Sequence, residues 1–380
     1  MIINVNSTII SLICLFPITV IIQRYNNIPN RFLFTLLVLM LLLAFVLNTL
    51  RANTKKKIKA FVMVTLVVVL ALYDYNITGE SLINFNDVLY LPFWVLFLSY
   101  LTTKYDVYKN LLEDKLRLIR FSILFGNLLM LGFVIMERSY FYNGRHRMAS
   151  GAFLLMLESY YYIKKTKNNR YWICVLWPCV AILNSTSRTY LIMAAVFLLI
   201  AYYKQLKNKQ WFYFSIIPIA LISAVIIFNS DMMQYFMPKQ VGVFDFWGSF
   251  TSGRTVFWAK DFEAFKNANI MHRLFGQGYN FVYYVNKKAI DAYIYAHNDY
   301  LNILIANGVV GLLIYIVALM DFIVQTVKRQ KVKFAAVLLS VFIFAFNAFF
   351  NGEYNYPAAT LSIMFLFLIL GKEDKFECLE

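Results

Sequence analysis

The sequence is short of charge. Only 15% of its 380 residues are Asp, Glu, Lys or Arg, whereas 61% are hydrophobic. A soluble domain carries about a quarter charged residues, and here the apolar residues also come in long blocks, so one large soluble core is excluded. It is short of thiols as well. Of four cysteines, Cys14, Cys174 and Cys179 fall in apolar runs and Cys378 in the polar tail, which indicates neither a disulfide framework nor a cysteine metal cluster. Acids number 20 against 36 basic residues, and histidines only three. What remains is a polytopic, all-α integral membrane protein.

A helix needs about 20 apolar residues to cross the hydrocarbon. Candidate spans are 7–22, 32–50, 60–75, 88–103, 121–136, 149–163, 171–184, 189–203, 211–228, 299–320, 334–350 and 358–370. The first has no basic residues before it and no small-residue cleavage site after it, so it reads as a span rather than a removed signal peptide. The expectation is one integral membrane domain over 1–380 with about twelve spans.

Lys and Arg in short loops set the orientation. "RANTKKKIK", "KKTKNNR", "KQLKNK", "KRQKVK" and the segment 104–120, with Lys104, Lys109, Lys115, Arg117 and Arg120, all follow even-numbered spans. They therefore share one side, the cytoplasmic one, with both termini. The net charge of +16 is then a topology signal, and no nucleic-acid partner follows from it. The opposite face carries a long extracytoplasmic loop, 229–297, without low-complexity composition. Loops of that length are usually functional. It holds "SGRTVFWAKDFEAF", a short amphipathic helix pattern with Ser252 as its cap, and then the glycine turn "FGQGYN".

Some arginines oppose the orientation rule. Arg138, Arg145 and Arg147 lie in "ERSYFYNGRHRMASG", Arg188 in the tight turn "NSTSRTYLIM", and Arg254 and Arg273 in the long loop. An anionic ligand supplies a reason, because guanidinium presents a planar, permanently charged fork to phosphate. Arg138 and Arg273 read more simply as snorkelling to lipid phosphates. Arg188, in a polar run between two apolar helices where a tight turn needs no arginine, reads as a ligand of such an anion. Arg145 and Arg147 join it on density, with nonspecific attraction to anionic lipid as the competing reading.

The stretch "YAHNDYLNILIANGVVGLL" starts polar and turns into a span. His297 stands where the long loop re-enters the bundle, beside a helix start whose free N–H groups favour an anion. Asn298 or Asp299 is suited to cap that helix. Glu353, in the short turn "NGEYNYP", is the acid best placed at the mouth, with an ordinary solvated turn residue an equal reading. Glu158 lies inside a span one turn before two lysines, where snorkelling or lysine pairing is the simpler reading. No acidic cluster for a divalent metal is visible on the outer side, so chemistry without a metal or other cofactor is expected.

With these residues quoted, the chain resembles the O-antigen ligase and polymerase family of bacterial envelope-polysaccharide enzymes, best over 180–320. "NSTSRTYLIMAAVFLLI" is similar to the family's Ser-Arg turn entering a span, "TSGRTVFWAKDFEAF" to its Ser-Gly-Arg loop helix, "LFGQGYN" to its Gly-x-Gly turn, and "HNDYLNILIANGVVGLL" to its His-Asn helix with paired glycines. One position departs: Ala306 stands where members often carry an acid.

The resemblance implies a GT-C-like membrane glycosyltransferase acting on undecaprenyl-diphosphate-linked oligosaccharide. It would sit in the bacterial cytoplasmic membrane with its site facing outward, and a flippase and a chain-length regulator are the implied protein partners. The residues fit that chemistry. Arg188 and Arg254 would stabilise the leaving diphosphate. His297 would take the acceptor's proton or orient the phosphates, with Glu353 as reserve base. The expectation is a polymerase of capsular or O-antigen repeat units. A ligase delivering the finished glycan to a lipid A core or other terminal acceptor is the alternative. A lipid-linked oligosaccharide flippase would need ionisable residues deep in several spans and an internal repeat, and neither is found. A peptidoglycan-type glycosyltransferase would need an acid in the long loop, Asp261 or Asp291.

Overall fold

The computed structural model describes residues 4–24, 27–50, 65–66, 68–70, 88–136, 145–185, 187–205, 254–291, 294–330, 334–350 and 357–370. These residues form helices and no strand. The expected span 211–228, most of the expected span 60–75, Arg138, Ser252 and Glu353 lie outside them. In chain order the main helices are α1 (Val5–Ile21), α2 (Asn27–Leu50), α3 (Tyr90–Thr103), α4 (Tyr105–Asp114), α5 (Leu116–Met136), α6 (Arg145–Thr166), α7 (Trp172–Asn184) and α8 (Arg188–Gln205). They continue as α9 (Arg254–Asn267), α10 (Ile270–Phe275), α11 (Tyr279–Ile290), α12 (Asp299–Ala306), α13 (Gly308–Gln330), α14 (Phe334–Phe350) and α15 (Pro357–Leu370).

Among the described residues, three stretches are long and apolar enough to cross a membrane: Pro29–Thr49, Leu116–Phe133 and Gly308–Lys328. Five further apolar helices are shorter: Val5–Ile21, Tyr90–Thr103, Thr189–Lys204, Ser340–Phe350 and Pro357–Ile369. Among the described residues these helices are compatible, by length and composition, with a membrane protein. One expected span is corrected. The stretch 299–320 is not a single helix, because the chain breaks at Asn307 and Gly308 into α12 and α13, with Gly308 at φ 69°.

The bundle is built around α6, which packs against α1, α5, α7, α8 and α15. Every residue from Met148 to Ile163 is buried. In lipid no water is expelled when helices meet, so close packing has to hold them together. Ala149, Gly151 and Ala152 provide it: a Cβ on Gly151 would lie 2.9 Å from Cγ1 of Val20 on α1. Glu158 does not snorkel and is not paired with lysine. It is fully buried and accepts a hydrogen bond from Ser122 Oγ on α5 at 3.1 Å. The lysines after it go elsewhere. Lys165 meets Glu113 at 2.7 Å, and Lys164 reaches the Ile369 carbonyl near the end of α15, as does Lys204 at 3.1 Å. Cations there satisfy carbonyls that the helix end leaves without partners.

A second knot ties α3, α13 and α14. The Trp94 ring stacks between Tyr315 and Phe344, with centroids 4.7 and 4.8 Å away, and its Nε1 donates to the Tyr315 carbonyl at 3.1 Å. Above this knot the chain 254–306 forms a cap of α9, α10, α11 and α12, with α9 packed on both α11 and α12.

Candidate functional site

The site is assembled where α9 meets the start of α12. Arg254, Phe257, Trp258 and Asp261 recur at helical spacing, so they share one side of α9. Arg254 opens the helix, and its Nη1 donates to the carbonyl of Phe350, the last residue of α14. That carbonyl belongs to the negative end of a helix, so a guanidinium is well placed against it. One turn on, Trp258 Nε1 donates to the Ala296 carbonyl at 2.6 Å, and the Phe257 ring lies 6.3 Å from the His297 ring. The structure thus brings Arg254 and His297, 43 positions apart in sequence, onto one lip.

His297 sits in a left-handed turn at φ 50°, a conformation rare for residues with a Cβ but less so for histidine. The turn redirects the chain from 294–296 into α12. The imidazole is half-buried and packs on Tyr295, with ring centroids 4.1 Å apart. Asn298 is the cap, its Oδ1 accepting from Leu301 N at 3.1 Å. Asp299 is the first helical residue, fully buried, and accepts from the Tyr315 hydroxyl at 3.4 Å. Since Tyr315 also stacks on Trp94, the mouth is tied to the bundle core. Asn302, one turn further in, is buried with no hydrogen-bond partner for either amide atom.

The glycines of the loop have a specific task. The turn between α10 and α11 lies directly on the α12–α13 break, with Gln277 N donating to Ile305 O at 2.8 Å and Gly278 N to Ala306 O at 3.0 Å. Gly276 and Gly278 take φ 91° and 79°. A Cβ on Gly276 would lie 2.0 Å from Ala306 O, and one on Gly308 would lie 2.3 Å from Leu274 O. Two backbones approach closer than any side chain permits. Ala306 contributes its carbonyl here. Tyr279 adds a hydrogen bond from its hydroxyl to Asn307 Oδ1 at 3.0 Å.

Other candidates are placed less fully. Arg188 opens α8, which packs on α14, and Arg145 opens α6, with Arg147 exposed in its first turn. The side chains of Arg145 and Arg188 lie outside the described residues. Three helices therefore open on arginine: α6, α8 and α9. An anion at the same place is favoured by both the dipole and the arginine. Arg273 turns back over the end of α9, its Nε donating to Ala268 O at 2.9 Å.

Of the loop acids, Asp261 and Asp291 differ in placement. Asp291 is exposed and closes α11 in a left-handed turn at φ 53°. Asp261 is fully buried, and neither of its oxygens has a partner in good hydrogen-bonding geometry. Burial pushes its carboxyl up to about 7, and the neighbouring Asn286 side chain offsets this only in part. Asn286 Nδ2 in turn donates to Ile294 O at 3.1 Å, fastening α11 to the approach to His297. Trp258 and Tyr315 are not legible as site residues in the sequence. Their only signals were a tryptophan one turn after Arg254 and a tyrosine within a span.

Residues 173–316 match the family model described as O-antigen ligase, less than half of the chain. The matched stretch contains α8 to α12, with Arg188, Arg254 and His297, and is similar to that family there. No curated protein matches the chain.

Proposed function

We propose that the protein polymerises lipid-diphosphate-linked oligosaccharide repeat units at the outer face of the bacterial cytoplasmic membrane. The observation that carries this reading is the docking of α9 on α12, which sets Arg254 and His297 on one lip. In the reaction a sugar hydroxyl of one repeat unit attacks the anomeric carbon of the growing chain. The bond from that carbon to the diphosphate breaks, and its electron pair leaves with the lipid diphosphate. The hydroxyl proton passes to His297, or to Glu353 as reserve base. Arg254, Arg188, Arg145 and Arg147 bind the diphosphate and stabilise its growing charge, a contribution often worth a few kcal/mol in such sites. Asp261 plays no direct part, because its carboxyl is closed off from solvent.

The description of the matching family favours a second reading, a ligase that moves one finished glycan to a terminal acceptor. Purified protein supplied only with lipid-linked repeat units separates the two. A polymerase gives a ladder of products spaced by one repeat unit. Absence of any product longer than the substrate would remove the polymerase reading, and a single product formed only on adding a lipid A core acceptor would establish the ligase.

A further inference from the structure

The cap carries an apolar face that the proposed chemistry does not use. On the six-residue helix α10, Ile270 is 66% exposed, Met271 55% and Leu274 37%. These positions are i, i+1 and i+4, so they form one face. Such a cluster on a short polar-flanked helix has no reason to stand in water.

The height of this helix is fixed by its neighbours. α10 packs on α13, and the Leu274 carbonyl lies directly against Gly308, the first residue of α13. Gly308 is also the first residue of the crossing stretch Gly308–Lys328. Along that stretch Leu313, Ile316, Val317 and Met320 are exposed at helical spacing, which marks the face α13 turns to lipid. α10 therefore lies at the level where a crossing helix enters the bilayer. Its flanks are cationic. Lys266 and Arg273 are exposed, and the one exposed acid nearby on α9, Glu263, is already paired with Lys260 at 2.9 Å. Apolar side chains with basic neighbours are the composition of a helix lying in a membrane interface.

We infer that α10 is a membrane-interface foot, with Ile270, Met271 and Leu274 set among the acyl chains and, facing the lipid phosphates, Lys266 and the outer edge of Arg273, whose inner edge donates to the carbonyls of Ala268 and Lys266. The occupant of this face is the bilayer on the side of the cap, continuous with the lipid around α13. Through the backbone contacts of Gly276 and Gly308 the foot also fixes the depth of the α12 mouth; only that last point draws on the proposed function.

The test does not depend on activity. Ile270→Cys, Met271→Cys and, as a control, Glu263→Cys would each carry a nitroxide in full-length protein whose Cys174, Cys179 and Cys378 are changed to Ala. Cys14 would be changed to Ala as well, and each variant placed in nanodiscs containing phosphatidylglycerol. Collision with oxygen reports lipid and collision with a nickel chelate reports water. The expected result is several-fold greater oxygen than nickel accessibility at 270 and 271, and the reverse at 263. Nickel accessibility at 270 and 271 equal to that at 263 would overturn the proposal, because the face would then be in water. Shielding from both reagents would also overturn it, because protein would then cover the face. Variants with unchanged melting temperature keep the reading clear of misfolding.

Discussion

The interior around α6 and the cap from α9 to α12 are held together by different means. In the interior the fit is side chain to side chain: buried apolar residues from Met148 to Ile163, with Gly151 close to Val20 on α1. In the cap the decisive contacts run to backbone. Trp258 holds the Ala296 carbonyl, Asn286 the Ile294 carbonyl, and the amides of Gln277 and Gly278 the end of α12. Lipid can surround an apolar helix at any rotation. The proposed catalytic lip needs one geometry, and directional hydrogen bonds with two close backbone approaches provide it.

The sharpest way to break this comparison is through glycine. Gly276→Ala and Gly308→Ala would each force a Cβ into backbone, at 2.0 and 2.3 Å, on residues with positive φ. Each should cost more than about 2 kcal/mol and abolish transfer, with the region 254–306 becoming protease-sensitive. Gly132→Ala in α5, where an added Cβ meets nothing within 4 Å, should leave melting and activity unchanged or slightly improved. If Gly276→Ala behaved like Gly132→Ala, the glycine contacts would not be what holds the cap.

Next in size is the arginine fork. Arg254→Lys keeps charge but loses the planar donor array, so transfer should fall by about tenfold or more at equal expression. Arg147→Lys, exposed on the first turn of α6, should lose much less. Equal rates for wild type and Arg254→Lys would leave Arg254 as a tie to α14 alone.

Asp261 offers a test by pH. Its folded carboxyl, raised to about 7, keeps its proton where the unfolded chain has lost it. The stability it contributes is full below about pH 4, falls as pH rises toward 7, and is level above that. Asp261→Asn should remove this slope and increase the unfolding free energy at pH 8, by an amount on the order of a few kcal/mol. An unchanged pH profile in Asp261→Asn would show that the carboxyl is not closed off in the folded protein.

The smallest effect is expected from Trp258→Phe. It removes one hydrogen bond, to Ala296 O, worth about 0.5–1.5 kcal/mol. Turnover should fall several-fold while the bundle melts almost as before. A fall in melting as large as that of Gly276→Ala would mean that the cap and the bundle unfold together.

The same contrast explains what could be read in the sequence. The apolar blocks announced α1, α2, α3, α5 and α14, because hydropathy and length suffice for a helix in lipid. The break between α12 and α13 was hidden, since both sides of Asn307–Gly308 are apolar and only a φ of 69° distinguishes them. Glu158 was misjudged from its nearness to Lys164 and Lys165 in sequence. Those lysines reach Ile369 and Glu113, and the glutamate's partner, Ser122, lies 36 positions away. His297 and Arg254 stood out as polar residues at the edges of apolar or amphipathic runs. Their proximity did not, because it depends on Trp258 finding a carbonyl and on two glycines lying against another backbone.

The central claim concerns the imidazole at the mouth of α12. His297→Asn is the cleanest probe, because asparagine tolerates the left-handed turn at φ 50° and preserves the local backbone. Purified His297→Asn, melting like the wild type, would be incubated with lipid-linked repeat units and the products resolved by length. The substrate should remain unextended if His297 takes the acceptor's proton. A wild-type ladder from this variant would contradict that role and leave His297 as a turn residue only.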